Sequence, residues 1–351
     1  MMQPCDFKRH RLYSLCPTIS SPTQKWSIFT TYSVLLHDFK TKKHFQCASK
    51  AKNVKTSDRD QRLSTHKMSA VLSHSINNDT RANIELFLKE KEEKGHRTGD
   101  ARSRYSSVSN ASNNWDQFYR RHRTNFFKDR HYMEDEFPEL DSFSQGTKTC
   151  NILEAGCGVG NTVLPLVKKH PNIKFFATDF SQKAIQLLNS KVSQLNYEDC
   201  KRVEAFVGDI SRSSVVSLFQ EHEVFCRMNI VMMIFSMSAI PPERHVQTVR
   251  NVFDALVPGG VVLFRDYARC DHTQLKFTDD NRLGENYYVR QDGTLTYFFQ
   301  KDDLVKMFET NGFDEIESKF VERVLENRHT GDRMSRIWIH ARFVKRKKGN
   351  V

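Results

Sequence analysis

Glu154-Ala155-Gly156-Cys157-Gly158-Val159-Gly160-Asn161 stands directly after the short apolar run Asn151-Ile152-Leu153 and directly before a helical pattern. Glycines between a strand and a helix let the backbone turn tightly and approach a ligand at the helix N-terminus. The spacing here is G-x-G-x-G, one residue shorter than the G-x-G-x-x-G of dinucleotide sites, which disfavours NAD or FAD and with them a dehydrogenase. An ordinary tight turn can carry the same glycines, so the loop needs support from its surroundings.

That support lies downstream. Apolar runs at Asn151 to Ala155, Ile173 to Thr178, Glu204 to Val207, Asn229 to Phe235 and Gly260 to Phe264 read as strands. They alternate with helical patterns at Asn161 to Lys169, Gln182 to Leu195 and Glu243 to Leu256, which predicts βαβ units and a parallel sheet covered on both faces. A helix near Lys301 to Asn311 and strands near Glu315 to Val321 and Arg336 to Val344 close the domain, with an antiparallel edge. Asp179 falls at the end of the second strand, where a carboxylate can accept both hydroxyl protons of a ribose. Asp209 follows the third strand in Val207-Gly208-Asp209-Ile210, placed to accept from an adenine amino group while Ile210 packs on the ring. The plainer alternative makes both acids helix caps, before Ser181 and Ser211.

Composition narrows the class. The formal charge is +12, yet 13 basic and four acidic side chains precede residue 71, leaving 41 against 38 in the remainder. A near-neutral body points to local rather than general contact with nucleic acid. Eight cysteines without a C-x-x-C pair predict a reduced intracellular chain with no zinc site, and the lack of a long uncharged apolar stretch predicts no membrane span. Residues 1–110 read as a mostly disordered basic extension, broken by a charged helix at Asn83 to Lys94 with Ile84, Phe87 and Leu88 on one face. Its Ser/Thr-rich, acid-poor start has the composition of a mitochondrial transit peptide; the plainer reading is a disordered basic tail, or sequence upstream of a start at Met68. The expectation is therefore cytoplasm or nucleus, with the mitochondrion as alternative. Residues 111–150 form a distinct segment in which Trp115, Phe118, Tyr119, Phe126 and Phe127 interleave with Arg120, Arg121, Arg123, Lys128 and Arg130. Residues 151–346 read as one α/β domain that carries the glycine loop.

The glycine loop with Asp179 and Asp209 resembles the class I methyltransferases. That resemblance implies a Rossmann-like α/β fold with a seven-stranded, mostly parallel sheet in the order 3-2-1-4-5-7-6 and S-adenosylmethionine as cofactor. It places Gly156 and Gly158 at the methionine moiety, Asp179 at the ribose, and Asp209 with Ile210 at the adenine. Ile234 would complete the pocket wall, with plain core packing as its alternative. More specific are Trp115-Asp116-Gln117-Phe118-Tyr119, Asn125 to His131, Phe264-Arg265-Asp266-Tyr267, Tyr288 to Thr294 and Tyr297-Phe298-Phe299. These dispersed segments resemble the eukaryotic tRNA N3-methylcytidine methyltransferases of the methyltransferase-like group, from about Asn114 to Lys345.

By that resemblance Trp115 and Tyr119 close over the cofactor. Phe127, Lys128, Arg130, His131 and Arg290 face the RNA, where cations meet phosphates and aromatic faces stack on an extruded base. The family's target is cytidine 32 of the anticodon loop, and a partner such as an aminoacyl-tRNA synthetase is an open possibility. Arg336 to His340 looks closer to a threonine- and arginine-tRNA subgroup than to the serine-tRNA one. Asp266 is the candidate contact for the cationic product or the exocyclic amine, its alternative being an ion pair with Arg265. A protein or small-molecule methyltransferase would have no need of the aromatic and basic segment, and a non-catalytic RNA-binding scaffold would have no need of the intact cofactor residues.

Overall fold

Hydrophobic runs too short for helices and flanked by glycine turns can bury themselves only as strands, and the computed structural model places five of them side by side. It describes residues 76, 78, 80–82, 84–85, 110–144, 149–212, 214–224, 226–326 and 333–347. In chain order these hold helix α1 (Ala111–His122), two short helices at Met133–Glu136 and Glu139–Ser144, strand β1 (Cys150–Ala155), α2 (Val163–Lys169), β2 (Ile173–Asp179) and α3 (Gln182–Val192). There follow β3 (Val203–Val207), α4 (Val215–Glu221), β4 (Met228–Ile234), α5 (His245–Ala255) and β5 (Leu256–Tyr267). A small antiparallel sheet of β6 (Arg282–Gly284), β7 (Tyr287–Val289) and β8 (Leu295–Tyr297) precedes α6 (Lys301–Thr310), β9 (Phe313–Glu326) and β10 (Arg333–Lys345).

The main sheet runs β3-β2-β1-β4-β5-β10-β9, with only β10 antiparallel to its neighbours. Leaving out the small sheet, that is the expected order 3-2-1-4-5-7-6. Alternation along each inner strand sends consecutive residues to opposite cores. Leu153, Phe176, Val231 and Met233 pack in one cluster, whereas Ile152, Phe175, Ile230 and Met232 pack in the other. Two-sided burial explains why these strands read as continuous apolar runs rather than as alternating ones.

Strand order reverses at β1, which pairs with β2 on one side and β4 on the other. The carboxyl ends of β1 and β4 therefore diverge and open a crevice.

Upstream, helical residues are described at 78, 80–82 and 84–85, earlier than the expected start at Asn83, while Phe87 and Leu88 lie outside the described residues. Ile76, Thr80 and Ile84 are buried, and the two isoleucines join the cluster that holds Ile210, Val215 and Leu218. The transit-peptide reading and Cys5, Cys16 and Cys47 also lie outside the described residues. The five described cysteines are free thiols. No helix among the described residues is long and apolar enough to cross a membrane.

Candidate functional site

A cavity of about 350 Å³ occupies the crevice, within the size range of small-molecule sites. Its floor is the glycine turn. The backbone leaves β1 through Gly156 at φ +77° and Gly158 at φ +53°, in the left-handed region. A Cβ on Gly156 would lie 2.4 Å from the Ser236 Cβ, and one on Gly158 would lie 2.6 Å from the Tyr119 hydroxyl. Only a residue without a side chain fits either position.

Asp179, ending β2, lines one wall. Its Oδ2 accepts from the Gly158 amide and its Oδ1 from the Ser181 amide, both at 2.9 Å. Burial pushes its carboxyl up to about 6, partly offset by those two amides. Each oxygen keeps a lone pair for a further donor. The cap of α3 is Ser181, whose hydroxyl accepts from the Ala184 amide at 3.1 Å, so Asp179 is not itself the helix cap. Asp209 lines the opposite wall with Ile210. Its Oδ1 accepts from the Ser211 amide at 2.9 Å and hydroxyl at 2.6 Å, while Arg212 Nε lies 3.3 Å from Oδ2. Asn251 donates to the Ile210 carbonyl at 2.7 Å, which fixes that wall to α5.

The roof is α1. Trp115 and Tyr119 line the cavity and pack with Phe118 at centroid distances of 5.1 to 5.8 Å. Asp116 Oδ1 accepts from the Ser181 hydroxyl at 2.5 Å and the Lys183 amide at 3.0 Å, locking the roof onto the first turn of α3. Ser112 donates to the Phe180 carbonyl at 2.9 Å, and Asn114 Nδ2 to the Gly293 carbonyl at 2.9 Å. Behind α1 the chain grips the glycine loop: Asn161 Nδ2 donates to the Phe127 carbonyl at 3.1 Å and to Asp129 at 2.9 Å, and the Arg130 amide donates to the Asn161 carbonyl at 2.8 Å. Arg130 Nη1 donates to Thr162 at 2.7 Å and lies 3.7 Å from Glu154, whose fully buried carboxyl is pushed up to about 7 against the pull of that guanidinium.

A model described as "Methyltransferase domain" matches residues 153–262, the stretch holding the glycine loop, Asp179 and Asp209. The tRNA N(3)-cytidine methyltransferase METTL6 of Homo sapiens is 40% identical over 236 residues, covering 67% of this chain and 80% of that protein. The tRNA N(3)-methylcytidine methyltransferase Mettl2 of Drosophila melanogaster is 41% identical over 237 residues, covering 66% and 70%. The tRNA N(3)-methylcytidine methyltransferase trm140 of Schizosaccharomyces pombe is 38% identical over 234 residues, covering 66% and 73%. The chain belongs to the tRNA N3-cytidine methyltransferase family. As a class I methyltransferase it uses S-adenosylmethionine, and the cavity fits that group on its own terms. Two polar atoms at its rim, Trp115 Nε1 and Ser236 Oγ, are buried without a hydrogen-bond partner, in a site otherwise well bonded. Such atoms are costly unless a ligand satisfies them. Among the described residues no cluster of His, Cys, Asp or Glu has a metal-holding arrangement.

The structure gathers Trp115, Tyr119, Gly156, Asp179, Asp209 and Ile210 around one cavity, with Gly158 beneath it. Other expected members sit elsewhere in this family member. Ile234 is in the core; β4 ends one residue earlier than expected, so Phe235 and Ser236 line the cavity instead. Asp266 does not line the cavity: fully buried, it accepts the Ser238 amide at 2.8 Å and the Tyr267 amide at 2.9 Å, and burial pushes it up to about 6. Nor is it paired with Arg265, which points to the other face of β5 and meets Glu136 at 2.8 Å. Arg130 turns inward to Thr162 and Glu154 rather than toward solvent, and Phe127 packs against the Phe118 cluster. Lys128 and His131 are exposed. Arg290 is half-buried over the Tyr267 ring, 5.8 Å from its centroid, and donates to the Leu295 carbonyl. The residue missed outright was Asp116, and its signal was present: it is the only acid between Ala111 and Lys128.

Proposed function

We propose that this chain methylates N3 of cytidine in tRNA, at position 32 of the anticodon loop. The observation that carries the reading is the roofed cavity, whose floor, two acidic walls and aromatic lid come together in a member of this family. S-adenosylmethionine supplies an electrophilic methyl group. Gly156 and Gly158 leave room for its methionine end, Asp179 takes ribose hydroxyls on its free lone pairs, and Asp209 with Ile210 holds the adenine. Trp115 and Tyr119 cover the site and exclude water.

Cytosine N3 carries an in-plane lone pair that is free at neutral pH, so the protein has no need of a strong base. Its task is to hold nucleophile and methyl in line and to tolerate the positive charge left on the base. N3 lies on the pairing edge, so the acceptor must be unpaired or extruded, as in a loop. Lys128 and His131, exposed beside the roof, and Arg290, on the small-sheet side, suit backbone phosphates. A body with little net charge favours help from a partner such as an aminoacyl-tRNA synthetase in holding the rest of the tRNA.

We place the chain in the cytoplasm or nucleus, with the mitochondrion as the alternative. Imaging the full chain beside one starting at Met68 tests this, since a shared distribution removes the targeting role of the first 67 residues.

The deciding experiment maps N3-methylcytidine across the tRNA pool with and without the protein, then with Asp179→Ala and Asp209→Ala. Loss at position 32 in one set of tRNAs, restored by the wild type and not by the variants, is expected. An unchanged map, or full rescue by both variants, would refute the proposal.

A further inference from the structure

Alternation on β5 and β10 puts Arg265, Tyr267, Arg336, Trp338 and His340 on one face of the sheet, opposite the cluster that holds Ile337 and Ile339. The segment before β1 covers the far end of that face. Phe137 stacks on His340 at 4.4 Å and Glu136 pairs with Arg265. Beyond that cover, Arg265 and Arg336 lie 5.0 and 5.6 Å from the Trp338 ring, and the buried Phe298 lies 5.8 Å from Tyr267. Phe235, Tyr267 and Trp338 are left half-buried, with the Phe235 ring 5.2 Å from Tyr267 and 5.8 Å from Trp338.

Three further features set this cluster apart from ordinary packing. Arg290 and Arg336 hold their guanidinium groups 5.8 and 5.7 Å from the Tyr267 centroid, and Arg336 is fixed there by the buried Asp271 at 2.9 Å. Trp338 Nε1 is buried with no hydrogen-bond partner. Phe235 adopts φ +55°, a conformation unfavourable for a bulky residue and enriched at functional sites. That same Phe235 lines the cofactor cavity, so cluster and cavity share a wall.

We propose that Phe235, Tyr267 and Trp338 are the platform that receives the extruded pyrimidine, with Arg290 beside it for a flanking phosphate and Arg336, held by Asp271, backing the Tyr267 ring. The inference rests on the reading above that the methyl acceptor is an RNA base. Partly exposed aromatic rings beside guanidinium groups suit a stacked base, and the spare indole N–H is a donor for the exocyclic oxygen of a pyrimidine. Arg130, also 5.8 Å from the Phe235 ring, is committed to Thr162 and Glu154 and serves as a strut.

The test is steady-state methylation of an anticodon stem-loop RNA with cytidine at position 32, alongside calorimetry with S-adenosylmethionine. Tyr267→Leu and Trp338→Leu keep an apolar side chain but remove the stacking faces, and urea melts of each variant check that the fold survives the lost volume. Both are expected to lower kcat/KM for the RNA by roughly 10- to 100-fold, the range of one lost base stack, with cofactor affinity unchanged. Trp338→Phe keeps a stacking face without the indole donor and should recover part of kcat/KM, with its deficit in KM for the RNA and its melting like the wild type, a split a merely structural role would not give. Leucine variants with wild-type kcat/KM, or with cofactor affinity falling in parallel, would overturn the platform. A wild-type protein that binds the cofactor and methylates neither the stem-loop nor whole tRNA, with or without an aminoacyl-tRNA synthetase present, would instead remove the acceptor reading on which it rests.

Discussion

At the residue scale the site is governed by space and by buried charge. Gly158 sits in a left-handed conformation under the Tyr119 hydroxyl, so Gly158→Ala meets both backbone strain and a 2.6 Å approach. The left-handed penalty alone is about 1–2 kcal/mol, and we expect calorimetry to show S-adenosylmethionine binding weakened at least about tenfold. Asp179 makes a pH prediction with a definite sign. Its folded carboxyl titrates near 6 against an ordinary 3.8, so between those values the folded state keeps a proton that the unfolded state has lost. Stability from this group therefore falls as pH rises through 4 to 6 and stays reduced above it, by on the order of 1–3 kcal/mol. His245 and His340, pushed down to about 4 by burial, titrate in the opposite sense over a similar range. Comparison with Asp179→Asn cancels them. In urea melts the wild type should lose ground to the variant between pH 4.5 and 7.5, and an equal gap at both pH values would exclude this account.

At the element scale, α1 acts as a separate part held by a few bonds. Asp116 provides two of them, to the Ser181 hydroxyl and the Lys183 amide. Asp116→Ala should weaken cofactor binding by about 5- to 30-fold, the equivalent of about 1–2 kcal/mol, and raise hydrogen exchange in Ala111–His122 while leaving β1 and β4 protected. Uniform deprotection of the whole domain would count against a hinged roof. Such couplings mark the limit of what a sequence discloses. The parallel strands were legible because two-sided burial leaves unbroken apolar runs, and Asp179 and Asp209 because strand ends locate them. Arg130 was misplaced because nothing local says whether an arginine beside aromatic residues faces solvent or a buried Glu154. The alternative of an ion pair between Asp266 and Arg265 failed because neighbours on a strand face opposite ways, and the partner of Asp266, the Ser238 amide, lies 28 positions away. The hairpin at β7 and β8 looked only like a motif, since its strands are three residues each.

At the scale of the whole molecule, the packed body reaches further toward the N-terminus than composition implied. Ile76 and Ile84 share a cluster with Ile210, the residue behind one cavity wall. A chain starting at Arg62 keeps both isoleucines and serves as the reference. One starting at Asn110 should be less stable by roughly 2–5 kcal/mol, with weaker cofactor binding, as expected for removing large apolar side chains from a core. Equal melting of the two shortened chains would show that those isoleucines contribute little. The bonds of α1 reach both Phe180 and Gly293, places separated by more than a hundred residues of chain. A spent cofactor beneath such a bar is a prisoner until the bar is raised. The clock of the enzyme should then be the lifting rather than the chemistry, visible as a rapid first round of product followed by a slower steady pace.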